Sequence, residues 1–226
     1  VVVDELGPLA RYSGLPEIER RSIFHALNQK SVGRRAASDL GKPYEQCNFI
    51  VAHMGGGISV GAHDHGRVTD VNNALDGDGP FSPERAGSLP AGGLVRLAFS
   101  GRYDQPTLLK MITGRGGLVA HLGTNDLREV RKRMAEGDEK AKLLFEALAY
   151  QVSKEIGACA AVLEGKADAV VLTGGLAYSE EFTGLISGRV SFIAPVMIYP
   201  GEDEMQALAD GAFRVLKGTE TARQYN

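Results

Sequence analysis

Three short apolar segments with tight connections stand in the first half of the chain. These segments are residues 48–54, 58–63 and 67–71. The triple glycine Gly55–Gly57 separates the first two, and Asp64–Gly66 separates the second from the third. Short strand-type segments joined by tight turns predict an antiparallel meander. The Gly-, Pro-, Asp- and Ser-rich segment 74–93 follows, and a loop of this length in a compact chain is usually functional.

Helical periodicity predominates on both sides of the meander. Apolar positions recur at near-helical spacing in residues 16–40, and Pro16 suits the first turn of such a helix. In residues 138–164 the apolar positions step by three or four and form one stripe, which is typical of a core helix or of a subunit interface. Further helices are predicted over residues 94–100, 106–112, 125–136, 178–187 and 203–216.

The order of the elements predicts the fold class. A continuous apolar run at 168–172 predicts a strand covered on both faces, and shorter strands are predicted at 190–193 and 196–199. Residues 48–216 then have the order βββαβαβα, which indicates an α/β fold of the ribonuclease H-like type found in actin-like ATPases and kinases. We assign residues 46–226 to one such domain, the second of its protein.

The first part of the chain is interpreted separately. Residues 1–45, which include a predicted helix, are expected to be the remnant of a first domain or the connection from it. The strand-type residues Val1–Val3 follow no turn or helix cap, which indicates that the sequence begins within a fold.

The net charge and the numbers of cysteine and glycine residues exclude some classes of function and favour others. The 226 residues include 25 Lys and Arg and 28 Asp and Glu, a net charge of −3, so we expect neither nucleic acid nor a membrane surface as partner. Two cysteines, Cys47 and Cys159, argue against a disulfide framework and fit a reducing cytoplasm. Glycine is abundant, with 29 residues clustered in turns, as expected where a ligand approaches the backbone closely.

Two glycine turns are candidates for a phosphate site. The turn Gly55–Gly57 follows His53, and its backbone N–H groups are accessible to phosphate oxygens because no Cβ shields them. A tight hairpin without a ligand is the alternative. Gly174 and Gly175 lie between a buried strand and a helix, and helix N-termini attract anions. Two such turns in one sheet favour a nucleotide site more than either does alone.

The charged residues near these turns have two interpretations each. Arg85 lies in the long loop, either as a solvated surface residue or as a forked donor for a carboxylate or a phosphoryl group. The acidic run Glu202–Glu204 precedes the last helix. It is either favourable charge at a helix N-terminus or the source of a carboxylate that holds Mg²⁺ near phosphates.

The histidines allow a rival hypothesis. His63 and His65 form an H-x-H pair at a strand end, and together with His53 they could ligate zinc in a hydrolase. Spacing identifies no further ligand and no general base, so this hypothesis is the weaker one. His25 and His121 are interpreted as packing or surface residues.

The chain resembles the acetate kinase family, and within it the butyrate kinase branch. The resemblance rests on NFIVAHMGGGISVGAHDHGRVTDVNNALDGDGPFSPERAGSLP at 48–90, DAVVLTGGLAYSEEF at 168–182 and IYPGEDEMQALADGAF at 198–213. Acetate kinases carry His-Leu-Gly-Asn-Gly where this chain has His53–Gly57, and the missing Asn favours the butyrate branch. The resemblance implies reversible phosphorylation of a short-chain fatty acid by ATP, with an acyl phosphate and ADP as products and Mg²⁺ as cofactor.

The resemblance also implies a set of site residues. It makes His53 and Arg85 stabilisers of the transferring phosphoryl group, and it places Asp4 at the floor of the active site. It assigns the metal-linked carboxylate to Asp203 or Glu204. The glycines implied to face ATP are Gly55, Gly56 and Gly57 at the phosphates and Gly174 and Gly175 at the nucleotide.

One departure from the family leaves an alternative open. Members of the family carry an Asn-Pro-Gly-Ser type phosphate turn, a substrate-binding arginine and a catalytic histidine in a first domain, and we find none of these in this chain. The alternative is a non-catalytic nucleotide-binding and dimerisation fragment. A sugar kinase would need a carbohydrate-binding loop that we do not find.

Family members associate through the second domain, so we expect a homodimer or a higher homo-oligomer, with residues 138–164 as a candidate interface.

Overall fold

One five-stranded sheet organises the chain. A computed structural model describes residues 3–202, 204–218 and 220–222. The strands are β1 (Phe49–Met54), β2 (Ile58–Asp64), β3 (Arg67–Val71), β4 (Ala169–Gly174) and β5 (Val196–Pro200). Their order is β3-β2-β1-β4-β5, with β2 antiparallel to both β1 and β3 and with β4 parallel to β1 and β5. This arrangement confirms the predicted meander and the ribonuclease H-like α/β fold.

Eight α-helices lie within the described residues. They are α1 (Ala26–Asp39), α2 (Ala91–Ala98), α3 (Gln105–Thr113), α4 (Gly117–Leu122), α5 (Leu127–Ala135), α6 (Glu139–Val162), α7 (Glu180–Val190) and α8 (Glu204–Leu216). Four of them begin at a side chain that accepts a backbone N–H of the first turn. These N-caps are Asp104, Asp126, Asp138 and Ser179. No helix in the described ranges has both the length and the apolar character needed to cross a bilayer.

The two faces of the sheet have separate cores. Strand β1 is buried throughout, and its side chains alternate between the faces. Ile50 and Ala52 lie in one core with the apolar stripe of α6. Phe49 and Val51 lie in the other core, with α1. The α6 stripe therefore packs inside the chain, and α1 packs on the sheet that residues 46–226 form.

The helix predicted from residue 16 was wrong in its first part, because α1 begins only at Ala26. Contacts with other segments hold residues 16–25. The Arg20 guanidinium donates to the Ala10 carbonyl at 2.8 Å and pairs with Asp70 at 3.0 Å. Such tertiary contacts override a helical pattern, which is only a weak preference of the local sequence.

Two shorter elements also differ from the prediction. Residues 190–193 do not form a strand: α7 continues to Val190, and the N–H of Ile193 donates to the Val190 carbonyl at 2.9 Å in a turn. Helix α4 was not predicted. Its six residues are too few to show helical periodicity, so the sequence pattern could not indicate it.

Candidate functional site

Charged side chains cover the turn between β1 and β2. A Cβ added to Gly55 would lie 2.9 Å from Oε1 of Glu202, and a Cβ added to Gly57 would lie 2.5 Å from Cζ of Arg85. Contacts this short are not tolerated by real side chains. Glycine at both positions therefore leaves room for the charged groups of Glu202 and Arg85, which a larger residue would displace.

The long loop after β3 is docked on the same turn. Ser82 Oγ donates to the Gly56 carbonyl at 2.6 Å, and the N–H of Glu84 donates to that carbonyl at 3.2 Å. The carboxyl carbon of Glu84 would lie 3.2 Å from a Cβ at Gly56. The loop is thus fixed by backbone contacts with the turn, and these contacts hold Arg85 over Gly57.

Arg85 is partly buried in this position. Its Nη1 donates to the Ala74 carbonyl, and its Nε is buried without a hydrogen-bond partner among the residues that the structure describes. Buried polar groups are almost always satisfied, so an unpaired guanidinium N–H is a donor left for a ligand. The geometry favours the forked donor over the solvated surface residue.

His53 lies beneath the turn and is 1% exposed. Its Nδ1 lies 2.9 Å from Oδ1 of Asn28, and its Nε2 lies 3.2 Å from Oε1 of Glu202. This contact with His53 lowers the pKa of the Glu202 carboxyl below its ordinary value. An acid and a histidine are therefore held together at the end of β1.

Glu202 belongs to the acidic run that was predicted as a source of a metal-binding carboxylate, although the resemblance singled out Asp203 or Glu204 instead. It follows Gly201, whose φ of +95° suits glycine, directly after β5. The missed signal was this position at a strand end, because the carboxyl ends of parallel strands meet at one edge of a sheet. Of the two predicted metal ligands, Glu204 begins α8 with an exposed side chain, and Asp203 lies outside the described residues. Their role stays a prediction.

His25 was interpreted as a packing or surface residue, and the structure places it against His53. Its ring stacks on that of His53, with the centroids 3.8 Å apart and the planes inclined by 12°. Burial, together with the nearby charges of His53 and Arg85, lowers the pKa of His25 to about 3. The ring is therefore neutral near pH 7. Its position one residue before α1 had no signal in the hydrophobic pattern.

The second glycine turn lies at the same edge of the sheet. Gly174 ends β4 with a φ of +88°, and a Cβ there would lie 2.5 Å from the carbonyl oxygen of Met54 at the end of β1. Gly175, in contrast, has open space around its Cα within the described part of the chain. The structure thus brings the ends of β1, β4 and β5 together, as the two predicted glycine turns require.

Asp4 lies in a different environment. Its carboxylate accepts both terminal nitrogens of Arg11, at 2.8 and 3.0 Å, and it is partly exposed. The hydrogen bonds from Arg11 lower the pKa of Asp4. The structure therefore places Asp4 in an ion pair with Arg11, and its predicted position at the floor of the active site stays a prediction.

The positions of the three histidines contradict the zinc hypothesis. His63 pairs with Phe49 and His53 pairs with Ser59 across β1 and β2, so four residues separate the two histidines along the strands. Both ring nitrogens of His63 already have partners inside the protein, as shown by its contacts with Tyr44 and Gln29. His65 is exposed in the turn after β2. In residues 3–202, 204–218 and 220–222, no three His, Cys, Asp or Glu side chains form a metal-binding group.

A cavity of about 980 Å³ adjoins this cluster. Its wall includes Asn28 and Glu202, the two partners of His53, together with Gly201 and Tyr178. Ligand sites in α/β sheets occur outside the carboxyl ends of the strands, at such a crevice. The edge that carries the two glycine turns therefore has space beside it and two buried nitrogens, Arg85 Nε and His53 Nε2, that make no hydrogen bond within the described residues.

Comparisons with known proteins agree on one family. The model of the acetokinase family matches residues 16–184. Butyrate kinase 2 of Clostridium acetobutylicum is 59% identical over 225 residues, and butyrate kinase 1 of the same organism is 56% identical. Each match covers 100% of this chain and 63% of the relative. The crystal structure of Porphyromonas gingivalis acetate kinase superposes with a TM-score of 0.85 at 23% identity, covering 93% of this chain and 61% of that chain. The chain thus spans about 63% of the length of the curated relatives that it matches.

Proposed function

This chain belongs to the acetokinase family, and from that premise we propose that it transfers the γ-phosphoryl group of ATP to the carboxylate of a short-chain fatty acid. The reaction is reversible, and its products are ADP and an acyl phosphate. Butyrate is the substrate that we propose first, because relatives named butyrate kinase match the whole chain at 56–59% identity.

The buried Nε of Arg85 is the observation that supports this reaction best. Transfer to a carboxylate brings one anion toward another, so catalysis depends on positioning and on neutralising charge. A guanidinium fixed over Gly57, with a donor left unpaired, suits both tasks. We assign Arg85 to the transferring phosphoryl group and to the attacking carboxylate.

The histidines and Glu202 complete the polar side of the site. His53 contacts Asn28 through Nδ1, and its buried Nε2 makes no hydrogen bond within the described residues, so we assign His53 to the phosphoryl oxygens. The neutral ring of His25 stacks on His53 and limits the positive charge that the pair carries. A carboxylate is already a nucleophile, so the mechanism needs no general base, and no residue is assigned that role.

Mg²⁺ is the proposed cation, and the residues present fit it. Mg²⁺ binds through one or two carboxylates plus phosphates and water rather than in a cage of protein ligands. Glu202 lies beside the glycine turn and can supply such a carboxylate, with Asp203 and Glu204 adjacent in sequence. Bound there, the cation would neutralise phosphate charge. We propose Gly55–Gly57 for the ATP phosphates and Gly174 and Gly175 for the rest of the nucleotide.

Three further properties are proposed with the function. Residues 46–226 act as the nucleotide half of a cleft, and residues 1–45 connect to a first domain. The protein forms a homodimer or a higher homo-oligomer, and Leu143 and Tyr150 are large apolar residues that α6 leaves exposed. It acts in the cytoplasm, where the two free, buried cysteines would stay reduced.

The experiment that tests the function uses the full-length protein. Acyl phosphate formed from ATP, Mg²⁺ and butyrate is trapped as the hydroxamate and measured in the wild type, in Arg85→Ala and in Arg96→Ala. Arg96 is exposed on α2 and serves as the matched control. We expect activity in the wild type and in Arg96→Ala and a loss of kcat in Arg85→Ala of about 100-fold or more. ATP binding without acyl phosphate in the wild type would instead support the alternative, a non-catalytic nucleotide-binding module.

A further inference from the structure

A chain of five polar side chains runs from the site into the protein. His25 Nδ1 lies 2.9 Å from Ser59 Oγ, and Ser59 Oγ lies 2.8 Å from Gln29 Nε2. Gln29 Oε1 lies 3.0 Å from His63 Nε2, and His63 Nδ1 lies 2.7 Å from the Tyr44 hydroxyl. All except His25 are buried. The chain therefore connects the ring that stacks on His53 with the core around α1.

The orientation of the Gln29 amide determines the direction of the hydrogen bonds. The amide of Gln29 also lies 3.0 Å from the Ser59 carbonyl oxygen, which can only accept, so Nε2 must be the atom on that side. Gln29 Oε1 then faces His63 and accepts from its Nε2–H. Burial lowers the pKa of His63 to about 3, so the ring is neutral and its Nδ1 accepts from Tyr44.

The Ser59 hydroxyl transmits this direction to His25. Its oxygen accepts from the Gln29 amide and, more weakly, from the backbone N–H of His25 at 3.4 Å. Its own proton needs an acceptor, because Ser59 is fully buried and an unpaired buried hydroxyl is unfavourable. His25 Nδ1 is the acceptor within reach. A neutral imidazole whose Nδ1 accepts carries its proton on Nε2.

We propose that Gln29 and Ser59 are positioning residues that hold His25 as the neutral tautomer with its proton on Nε2. This inference rests on the proposed function, because the Nε2–H group would serve as a donor beside Arg85 for the phosphoryl group. Nothing in the described residues accepts a hydrogen bond from Nε2. A ring in the opposite tautomer would present an acceptor to an anion and would repel it.

The experiment measures the tautomer and the activity in the same full-length proteins. Histidine labelled with ¹⁵N allows long-range ¹H–¹⁵N spectra to distinguish the two neutral tautomers, and the His25 signal is assigned by its loss in His25→Gln. The variants are Ser59→Ala and, as a second disruption, Gln29→Met. Ser153→Ala is the matched control, since Ser153 is also buried and donates only within α6.

We expect His25 of the wild type to show the Nε2–H tautomer near pH 7. In Ser59→Ala and Gln29→Met the pure tautomer is lost, and kcat falls about tenfold to 100-fold while KM for ATP changes less than about twofold. Ser153→Ala changes neither. An Nδ1–H or charged His25 in the wild type overturns the inference, as does a variant that loses the bond but keeps both tautomer and kcat. If the wild type phosphorylates no carboxylate, the proposed function fails, while the spectra still decide the tautomer.

Discussion

Substituting Gly57 with alanine displaces Arg85 without changing the arginine itself. The new Cβ would lie 2.5 Å from Arg85 Cζ and nearer still to Arg85 Nη1, whereas ordinary contacts begin at 3.4 Å, so the guanidinium must move by about 1 Å or more. The obstructing group is the end of a flexible side chain, so the fold can absorb the change. A misplacement of about 1 Å costs roughly 100-fold in rate, which corresponds to about 2.7 kcal/mol of transition-state stabilisation.

Two quantities are measured for the wild type and for each variant: kcat for hydroxamate formation and the midpoint of urea unfolding. We expect Gly57→Ala to lose about 100-fold in kcat and to keep a midpoint close to that of the wild type. Gly184→Ala is the control, because Gly184 lies exposed in α7 with open space around its Cα within the described ranges. That variant should keep full activity and gain up to about 1 kcal/mol of stability.

Three results would contradict the expected effect of Gly57→Ala, each in a different way. If Gly57→Ala keeps its kcat while Arg85→Ala loses activity, the close approach of the guanidinium to Gly57 is not part of the active arrangement. If both variants keep their kcat, Arg85 takes no part in phosphoryl transfer. A Gly57→Ala protein that unfolds at a much lower urea concentration would show that the substitution distorts the turn instead of displacing the Arg85 side chain.

Three further predictions concern the glycines that follow β4, the buried His63 and the proposed metal ligand Glu202. Gly174→Ala should lose about 2 kcal/mol or more of unfolding free energy in urea titrations, because its φ of +88° is strained for alanine, whereas Gly175→Ala should lose little. Burial lowers the pKa of His63 from 6.5 to about 3, so the unfolded chain binds this proton first on acidification. The His63 contribution to stability should therefore fall by about 2 kcal/mol from pH 7 to pH 5. His63→Gln should remove that part, while the similar loss through His25, whose pKa is also lowered to about 3, remains. Glu202→Gln should raise the Mg²⁺ concentration for half-maximal activity about tenfold, and Glu204→Gln should not.

Periodicity and turn residues were sufficient to predict most of the fold. Strands β1 to β4 and the long helix α6 follow directly from apolar runs and from a regular three-and-four spacing, which local sequence encodes. The segment 16–25 was mispredicted because Arg20 is held by partners far away in sequence. Such contacts become visible only when the chain is folded.

The site was predictable only in part, because some of its residues depend on contacts that form only in the folded chain. His53, Arg85 and the glycine turns carry local signals, and the structure brings them to one edge of the sheet. Glu202 was not distinguished from its acidic neighbours, and His25 was interpreted as a packing or surface residue, because their importance depends on where β5 ends and on how α1 begins. A histidine at a helix start and an acid in an acidic run have common structural explanations, so local sequence provides no reason to prefer the functional ones.

ATP synthesis from ADP and butyryl phosphate is the reverse of the proposed reaction and is the most direct test of carboxylate kinase activity. The full-length protein is incubated with both substrates and Mg²⁺, and ATP is measured continuously with a coupled enzyme assay. We expect ATP in amounts equal to the butyryl phosphate consumed, with a rate that falls about 100-fold or more in Arg85→Ala. Release of inorganic phosphate without ATP, or an equal rate in Arg85→Ala, would contradict this expectation.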